Sequence, residues 1–205
     1  MLSYAAVGRN KIPILNVLRP YLETSIRKYI LEISSGSGEH LTLFATEFPQ
    51  HIFQPSEVNE RCIESISAYK RHKSLDNLLE PVYVDVSTPH TSWKRLQCGD
   101  ACYDLIFNAN MIHISSTSAV EGLFTNAGLL LKPDGVLFLY GPFAVDGKIV
   151  PESNINFHQS LLSQNPDWGL RDTRYLNQLA NANAMQFEKM YDMPANNKVV
   201  IYRKQ

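Results

Sequence analysis

Short, nearly continuous apolar runs alternate along this chain with longer stretches in which apolar residues recur every three or four positions. The first pattern reads as strands covered on both faces, the second as helices with one buried stripe. Leu15, Leu18 and Leu22 predict a first helix from Ile12 to about Thr24. Pro13 fits its first turn, and Pro20 marks a kink or an early stop. Strands are expected at Tyr29–Ser34, His51–Gln54 (stopped by Pro55), Val82–Val86, Tyr103–Asn108 and Val136–Tyr140. Helical stripes separate them: Leu41, Phe44, Ala45 and Phe48; then Cys62, Ile66 and Tyr69; then Val120, Leu123, Phe124, Ala127 and Leu131. The last of these runs into Lys132-Pro133-Asp134-Gly135, a strong turn signal. Gly141 to Arg174 is rich in Asn, Gln, Pro and Gly and is expected to be a long insertion acting as a lid or acceptor-binding loop. The tail predicts a helix over Tyr175–Ala184 and strands over Gln186–Asp192 and Lys198–Arg203, with Met193–Asn197 as a hairpin turn.

Alternating strands and helices imply an α/β fold, a mostly parallel sheet with helices on both faces. A closing antiparallel hairpin separates a methyltransferase-type sheet from an ordinary dinucleotide domain. Ligands of such sheets bind outside the carboxyl ends of the strands, where strand order reverses. The chemistry is therefore sought at those ends.

The segment Tyr29-Ile-Leu-Glu-Ile-Ser-Ser-Gly-Ser-Gly38 joins a strand to a helix through a small-residue loop. Gly36 and Gly38 allow close backbone approach to a ligand, and the helix start offers free N–H groups. The acid Glu32 ahead of the loop, and Ser34 where a third glycine would stand, argue against a pyrophosphate cradle. They favour a nucleoside carrying an amino acid, S-adenosylmethionine. Glu57 after the second strand is placed to accept from both ribose hydroxyls. Asp85 after the third is placed to accept from the adenine amino group, with Val86 beside the ring. Asn108, Ala109 and Asn110 end the fourth strand, next to the expected sulfonium methyl. That permanent cation suits carbonyls and aromatic rings better than basic side chains. Arg9, with Asn10, is a candidate to close over the methionine carboxylate. Each position has an alternative: Glu57 as a solvated helix-start acid, Asp85 as a turn residue, Asn108 as a strand-end bonding group, Arg9 as part of a solvated arm.

Composition narrows the partners. The chain has 205 residues, 44% hydrophobic and 19% charged, with a formal net charge of −1. This suits one globular domain spanning residues 1–205 and advertises no nucleic-acid binding. No apolar run is long enough to span a membrane, and no signal peptide is evident, so a cytoplasmic protein is expected. Cys62, Cys98 and Cys102 are odd in number and include no Cys-x-x-Cys pair, which argues against a disulfide framework and fits a reducing compartment. No metal site is expected from them.

The chain resembles class I S-adenosylmethionine-dependent methyltransferases. More closely, it is similar to the methyltransferase-like twenty-six family, formerly a domain of unknown function. The likeness spans nearly all of the chain. It is carried by Arg9-Asn-Lys-Ile-Pro-Ile-Leu15, Leu31-Glu-Ile-Ser-Ser-Gly-Ser-Gly-Glu-His40, Gln54-Pro-Ser-Glu57, Glu121-Gly-Leu-Phe124, Leu131-Lys-Pro133, Tyr140-Gly-Pro142, Asn165-Pro-Asp-Trp-Gly-Leu-Arg-Asp172 and Asp192-Met-Pro-Ala-Asn-Asn-Lys198. It implies a Rossmann-like seven-stranded sheet, S-adenosylmethionine as cofactor and S-adenosylhomocysteine as product. It says little about the acceptor.

Methyl transfer from a sulfonium is an in-line displacement that needs an aligned nucleophile and sometimes a base. Asn110, His113 and Tyr140 are the catalytic candidates, and Trp168 and Arg171 the candidates for gripping the acceptor. His113 is alternatively a packed histidine at a helix start. Tyr140 alternatively closes the core, and Arg171 alternatively pairs with Asp172. An Asn-Pro-Pro-Tyr-type clamp is absent after the fourth strand, which favours a small-molecule acceptor over nucleic acid. Two rivals remain: a non-catalytic cofactor-binding sensor or partner subunit, and a nicotinamide-dependent oxidoreductase. The second expects a fuller glycine loop and a Tyr-x-x-x-Lys pair, and neither is present.

Overall fold

The computed structural model describes residues 1–94, 96 and 99–205. Seven strands form one sheet: β1 (Tyr29–Ile33), β2 (Ile52–Glu57), β3 (Val82–Tyr83), β4 (Tyr103–Ala109), β5 (Leu131–Gly141), β6 (Met185–Met193) and β7 (Asn197–Lys204). Their order is β3-β2-β1-β4-β5-β7-β6. The first five run parallel, and β7 inserts antiparallel between β5 and β6. Strand order reverses between β1 and β4, which pair with Ile33 opposite Asn108. The loops leaving those two strands therefore open a crevice between them.

Six helices flank the sheet: α1 (Ala5–Leu22), α2 (Glu39–Glu47), α3 (Glu60–Lys73), α4 (Thr117–Leu130), α5 (Glu152–Gln164) and α6 (Thr173–Ala182). Two cores lie on opposite faces. One packs Ile14, Leu18, Leu22, Leu41, Phe44 and Phe48 over Ile30, Phe53, Phe107 and Phe138. The other packs Val120, Leu123, Phe124, Ala127, Leu176 and Ala180 over Leu31, Ile106, Leu137 and Tyr202. β1, β4 and β5 contribute to both, which explains their unbroken apolar runs.

Several boundaries differ from the sequence reading, each for a local reason. Helix α1 starts seven residues before the expected Ile12, at Ala5, and passes through both Pro13 and Pro20. Its start carries no side-chain cap and no acid in the first turn, so no sequence signal marks it. The prolines remove two N–H donors; burial of Val7, Ile14, Leu15, Leu18 and Leu22 outweighs that loss. β2 runs on through Pro55 to Glu57, with Pro55 opposite Glu32 of β1. The Lys132–Gly135 signal is an irregularity inside β5, with Asp134 at φ 65°, where pairing with β4 shifts register. The Gly141–Arg174 insertion contains helix α5. Helix α3 is capped by Asn59, which accepts from Arg61 and Cys62, and α6 by Asp172, which accepts from Arg174. Cys102 is disulfide-bonded, a correction to the reading of thiols kept reduced; Cys62 is free, and Cys98 lies outside the described residues. No helix among the described residues is long and apolar enough to cross a membrane.

Gly122 and Asn126 of α4 fix the segment after β3. A Cβ at 122 would fall 2.1 Å from the Val86 carbonyl oxygen, so only glycine allows this approach. One turn on, the Asn126 amide donates to the carbonyls of Val86 (3.1 Å) and Thr88 (3.0 Å).

Candidate active site

The turn after β1 is built from strained and close-packed residues. Ser34 sits at φ 59° and Gly36 at φ 56°. A serine in this left-handed region costs about 1 kcal/mol, which is why glycine is the usual occupant. Gly38 has φ 90°, and a Cβ there would meet Ile66 of α3 at 2.9 Å and its Cα at 3.1 Å. Gly38→Ala should lower stability by about 2 kcal/mol in urea unfolding, from strain plus overpacking; an unchanged midpoint would show that α3 gives way freely. Ser35 receives the Ser56 N–H on its hydroxyl (3.1 Å) and gives its own N–H to the Ser56 carbonyl (2.8 Å). These bonds tie the turn to β2.

Glu57, buried at the end of β2, completes the turn. Its Oε2 accepts the Gly36 N–H at 2.9 Å, and its Oε1 accepts those of Val58 (2.8 Å) and Asn59 (3.3 Å). A carboxylate offers roughly four lone-pair positions. One on Oε2 stays free, and the long Asn59 contact is the easiest to displace. A diol reaching this carboxylate could therefore be held at both hydroxyls only by displacing that contact.

Glu57, Ser34, Ser35, Gly36, Ser37 and Ala109 help to line a cavity of about 410 Å³, closed on its far side by Tyr4, Met111 and Ile114. No Lys or Arg lines it, and its one histidine, His40, is pushed down to about 4 by burial and is neutral at pH 7. Glu57 is thus its only formal charge. A cationic sulfonium and a ribose diol both suit such a lining.

A second cavity, of about 620 Å³, adjoins the first, sharing Ala6, Asn110 and Ile114 with it. It is walled by Tyr140 at the end of β5 and Pro142 just after it, by Asn154 and Phe157 of α5, and by Pro194 and Ala195 of the hairpin turn. Asn154 donates to the carbonyls of Val150 and Asn196, which joins α5 to that turn. Asn110 stands at the junction with φ 59°, its N–H bonded to the Tyr140 carbonyl (2.9 Å).

A buried polar chain runs beneath both cavities. Glu32 is 1% exposed; its Oε1 lies 3.8 Å from His40 Nδ1, and its Oε2 has no partner among the described residues. Burial pushes Glu32 up to about 8, partly offset by a hydrogen bond with Ser35 and reinforced by Glu57, so it is largely protonated at pH 7. His40 Nε2 contacts Asn10 Oδ1 at 2.8 Å. Asn10 in turn acts on the hydroxyl of Tyr140, whose ionisation is pushed up by burial and eased by Asn10 and Arg9. His113 is 5% exposed, packs edge-on against Phe157, and has a buried Nδ1 without a hydrogen-bond partner among the described residues. Burial, then the positive charge of Arg171, brings it down to about 4.

The structure gathers Ser34, Gly36, Glu57, Ala109 and Asn110 at the first cavity, and Asn110, His113 and Tyr140 at the second; Arg9, expected over the methionine carboxylate, lines the second cavity and not the first. It does not bring the rest of the expected set to either cavity. Gly38 serves the packing of α3 on the turn. Glu32 lies beneath the turn. The Asp85 carboxylate folds back on Ser87, accepting its N–H (3.0 Å) and hydroxyl (2.7 Å). Val86 packs in the core with Ile33 and Leu123. Asn108 is 1% exposed and donates to the Ile33 carbonyl, the strand-end alternative. Trp168 lines neither cavity. Arg171 spans the carbonyls of Ile112, Ser115 and Asp167, which staples the insertion to the loop after β4. Asp172 bonds Arg174 and the Gly147 N–H rather than Arg171. Tyr4, His40, Asn10 and Phe157 complete the walls. Asn10 had one signal, a polar residue on the buried stripe of α1. No group of three or more His, Cys, Asp or Glu among the described residues is placed to hold a metal ion.

The sheet order, the reversed β7 and the glycine turn facing an acid on β2 define a class I methyltransferase fold. Solved structures agree. An O-methyltransferase family protein from Burkholderia thailandensis superposes with a TM-score of 0.77 at 13% identity, over 98% of this chain and 57% of that one. Human N-acetylserotonin methyltransferase, solved with S-adenosylmethionine, gives 0.74 at 14% identity, over 97% and 52%. The YcgJ protein from Bacillus subtilis gives 0.72 at 14% identity, over 93% and 97%. This chain thus spans little more than half the length of the first two. Residues 1–204 match the model of the family described as "Protein of unknown function (DUF938)", and the chain belongs to that family.

Proposed function

We propose that this protein is an S-adenosylmethionine-dependent methyltransferase acting on a small-molecule acceptor. The observation that carries the reading is the pair of cavities meeting at Ala6, Asn110 and Ile114. One has the lining a sulfonium nucleoside requires, and the other is large enough for a small organic molecule. A binding protein without catalysis would need only the first, and the open second cavity favours an enzyme over a sensor. Human N-acetylserotonin methyltransferase was solved with S-adenosylmethionine, and a protein of similar fold from Planctomyces limnophilus with apigenin, which supports the cofactor and a small acceptor.

The cofactor would supply a methyl group made electrophilic by its sulfonium. Glu57 would hold the ribose, and the Ser34–Ser37 turn would run beside the nucleoside. Asn110, at the junction, would orient the acceptor toward the methyl carbon, so that proximity and alignment supply most of the acceleration. The acceptor's lone pair would form the new bond, the thioether would leave with the carbon–sulfur pair, and a proton released from an O–H or N–H acceptor would pass to solvent. His113, held near 4, is too weak a base to remove a proton from an alcohol or amine at neutral pH, and it serves better as a hydrogen-bond acceptor for one. Insertion residues 141–174 would shape the acceptor pocket through α5.

Calorimetric titration with S-adenosylmethionine, S-adenosylhomocysteine and NAD tests the reading. The two adenosyl compounds should bind at micromolar levels and NAD should not. Binding of NAD alone would overturn the assignment. Incubation of metabolite extracts with labelled methyl donor should then reveal the acceptor.

A further inference from the structure

We infer that the methyl acceptor carries a carboxylate, held by Arg9 and by the hydroxyl of Tyr140, and that Asn10 and His40 position that hydroxyl as a donor. The inference deepens the proposed function and rests on its assignment of the larger cavity to the acceptor.

Charge is the first observation. Among the residues lining that cavity Arg9 is the only Lys or Arg, and no Asp or Glu is present. Arg9 forms no hydrogen bond or ion pair with any described residue. His113 is neutral at pH 7 and does not compete for an anion. A guanidinium without a carboxylate partner, on the wall of a cavity with apolar faces from Ile114, Phe157 and Pro194, fits a small molecule with an apolar body and one anionic group.

The second observation is the direction of the buried hydrogen-bond chain. His40 has Nδ1 3.8 Å from the Glu32 carboxyl, and its Nε2 meets the amide oxygen of Asn10, which can only accept. The proton of the neutral ring is then on Nε2 and is donated to Asn10 Oδ1 at 2.8 Å. Asn10 is 7% exposed and is left with its NH₂ group for Tyr140, in agreement with its action in favouring the ionised hydroxyl. Asn10 and Tyr140 both line the cavity, and an Asn10 NH₂ turned to the Tyr140 oxygen leaves that hydroxyl's own hydrogen free to point into it. Burial keeps that hydroxyl protonated. Tyr140 is therefore a donor beside the Arg9 cation, and two donors side by side match the two oxygens of a carboxylate. Arg9 and Tyr140 would touch the acceptor; Asn10 and His40 are positioning residues.

The test uses the full chain saturated with S-adenosylhomocysteine and ligand-observed NMR with two matched pairs, benzoate with benzamide and hexanoate with hexanamide. At least one acid should bind tenfold or more tightly than its amide. Arg9→Gln and Tyr140→Phe should each erase most of that preference. Asn10→Asp, nearly isosteric, turns the donor facing Tyr140 into an acceptor; it should lower the acid-to-amide ratio severalfold while thermal unfolding confirms a folded chain. The same Asn10→Asp change placed on Tyr140→Phe should move the ratio much less. Acid and amide binding alike in both pairs, or an acid preference that survives Arg9→Gln, would overturn the inference. The product's own affinity, measured in parallel, separates this outcome from failure of the methyltransferase reading.

Discussion

Glu57→Ala is expected to weaken S-adenosylhomocysteine binding about 100-fold, or roughly 2.7 kcal/mol. The carboxylate acts twice. It would accept from the ribose, and charge-assisted bonds of this kind contribute about 1.5–3 kcal/mol each. It also holds Gly36 at 2.9 Å and Val58 at 2.8 Å, and so sets the shape of the turn before any ligand arrives. Alanine removes both effects, leaving three backbone N–H groups, those of Gly36, Val58 and Asn59, without their acceptor. Glu57→Gln should fall between: its amide keeps one acceptor oxygen but presents NH₂ to whichever backbone N–H loses its partner. Calorimetry on both variants, with circular dichroism to confirm folding, separates the two contributions. A loss of less than threefold for alanine would leave Glu57 as an acid that shapes the loop and does not grip the cofactor.

The placement of Glu57 was legible in the sequence because it follows from topology. An acid just after an apolar run lands at the carboxyl end of its strand, and β1 and β2 are neighbours. The same argument failed for Asp85 and Val86. β3 pairs only through Val82 and Tyr83, and the chain beyond it is taken over by α4 through Gly122 and Asn126. Nothing in the local pattern around Asp85 announces a clamp supplied some forty residues later. Tyr140 and His113 were visible as residues near strand ends, but the properties that decide their roles were not. Those depend on Asn10, His40 and Phe157, which reach the site from α1, α2 and α5. Helix α1 hid its first turns because no capping residue marks them, and α5 was masked by a polar, turn-like composition. Arg171 read as an acceptor-gripping cation; its three carbonyl partners lie on two segments that only the fold brings together. Apolar periodicity thus fixed the sheet, whereas the polar interior is long-range and is not written in any window of sequence.

Glu32 gives the other large effect, a stability that peaks near pH 6.5. Its folded value of about 8 lies above the ordinary 4.5 because of burial. Between those limits the folded state holds a proton that the unfolded chain has released, so stability falls as pH rises through the window. His40 and His113 behave oppositely. Burial holds both at about 4, below the ordinary 6.5, so the unfolded chain binds protons there that the folded state refuses, and stability falls as pH drops from 6.5 toward 4. Two histidines outweigh one carboxyl below pH 6.5; above it the carboxyl outweighs the protons that the unfolded histidines still hold. Asp172 and Glu188, held below ordinary carboxylate values by hydrogen bonds and charges from Arg174 and Arg203, lose their contributions only at more acid pH. Urea unfolding from pH 4.5 to 8.5 should therefore show stability rising and then declining by about 1 kcal/mol between pH 6.5 and 8. In Glu32→Gln the alkaline decline should disappear, and the stability difference from the parent should grow by about 4 kcal/mol from pH 4.5 to 8. Glutamine leaves the His40 Nε2–Asn10 Oδ1 contact in place, so Asn10 keeps its NH₂ group for Tyr140, and the acid-over-amide preference of the acceptor cavity should survive this substitution. A parent protein no less stable at pH 8 than at pH 6.5 would show that Glu32 is ionised in its buried place.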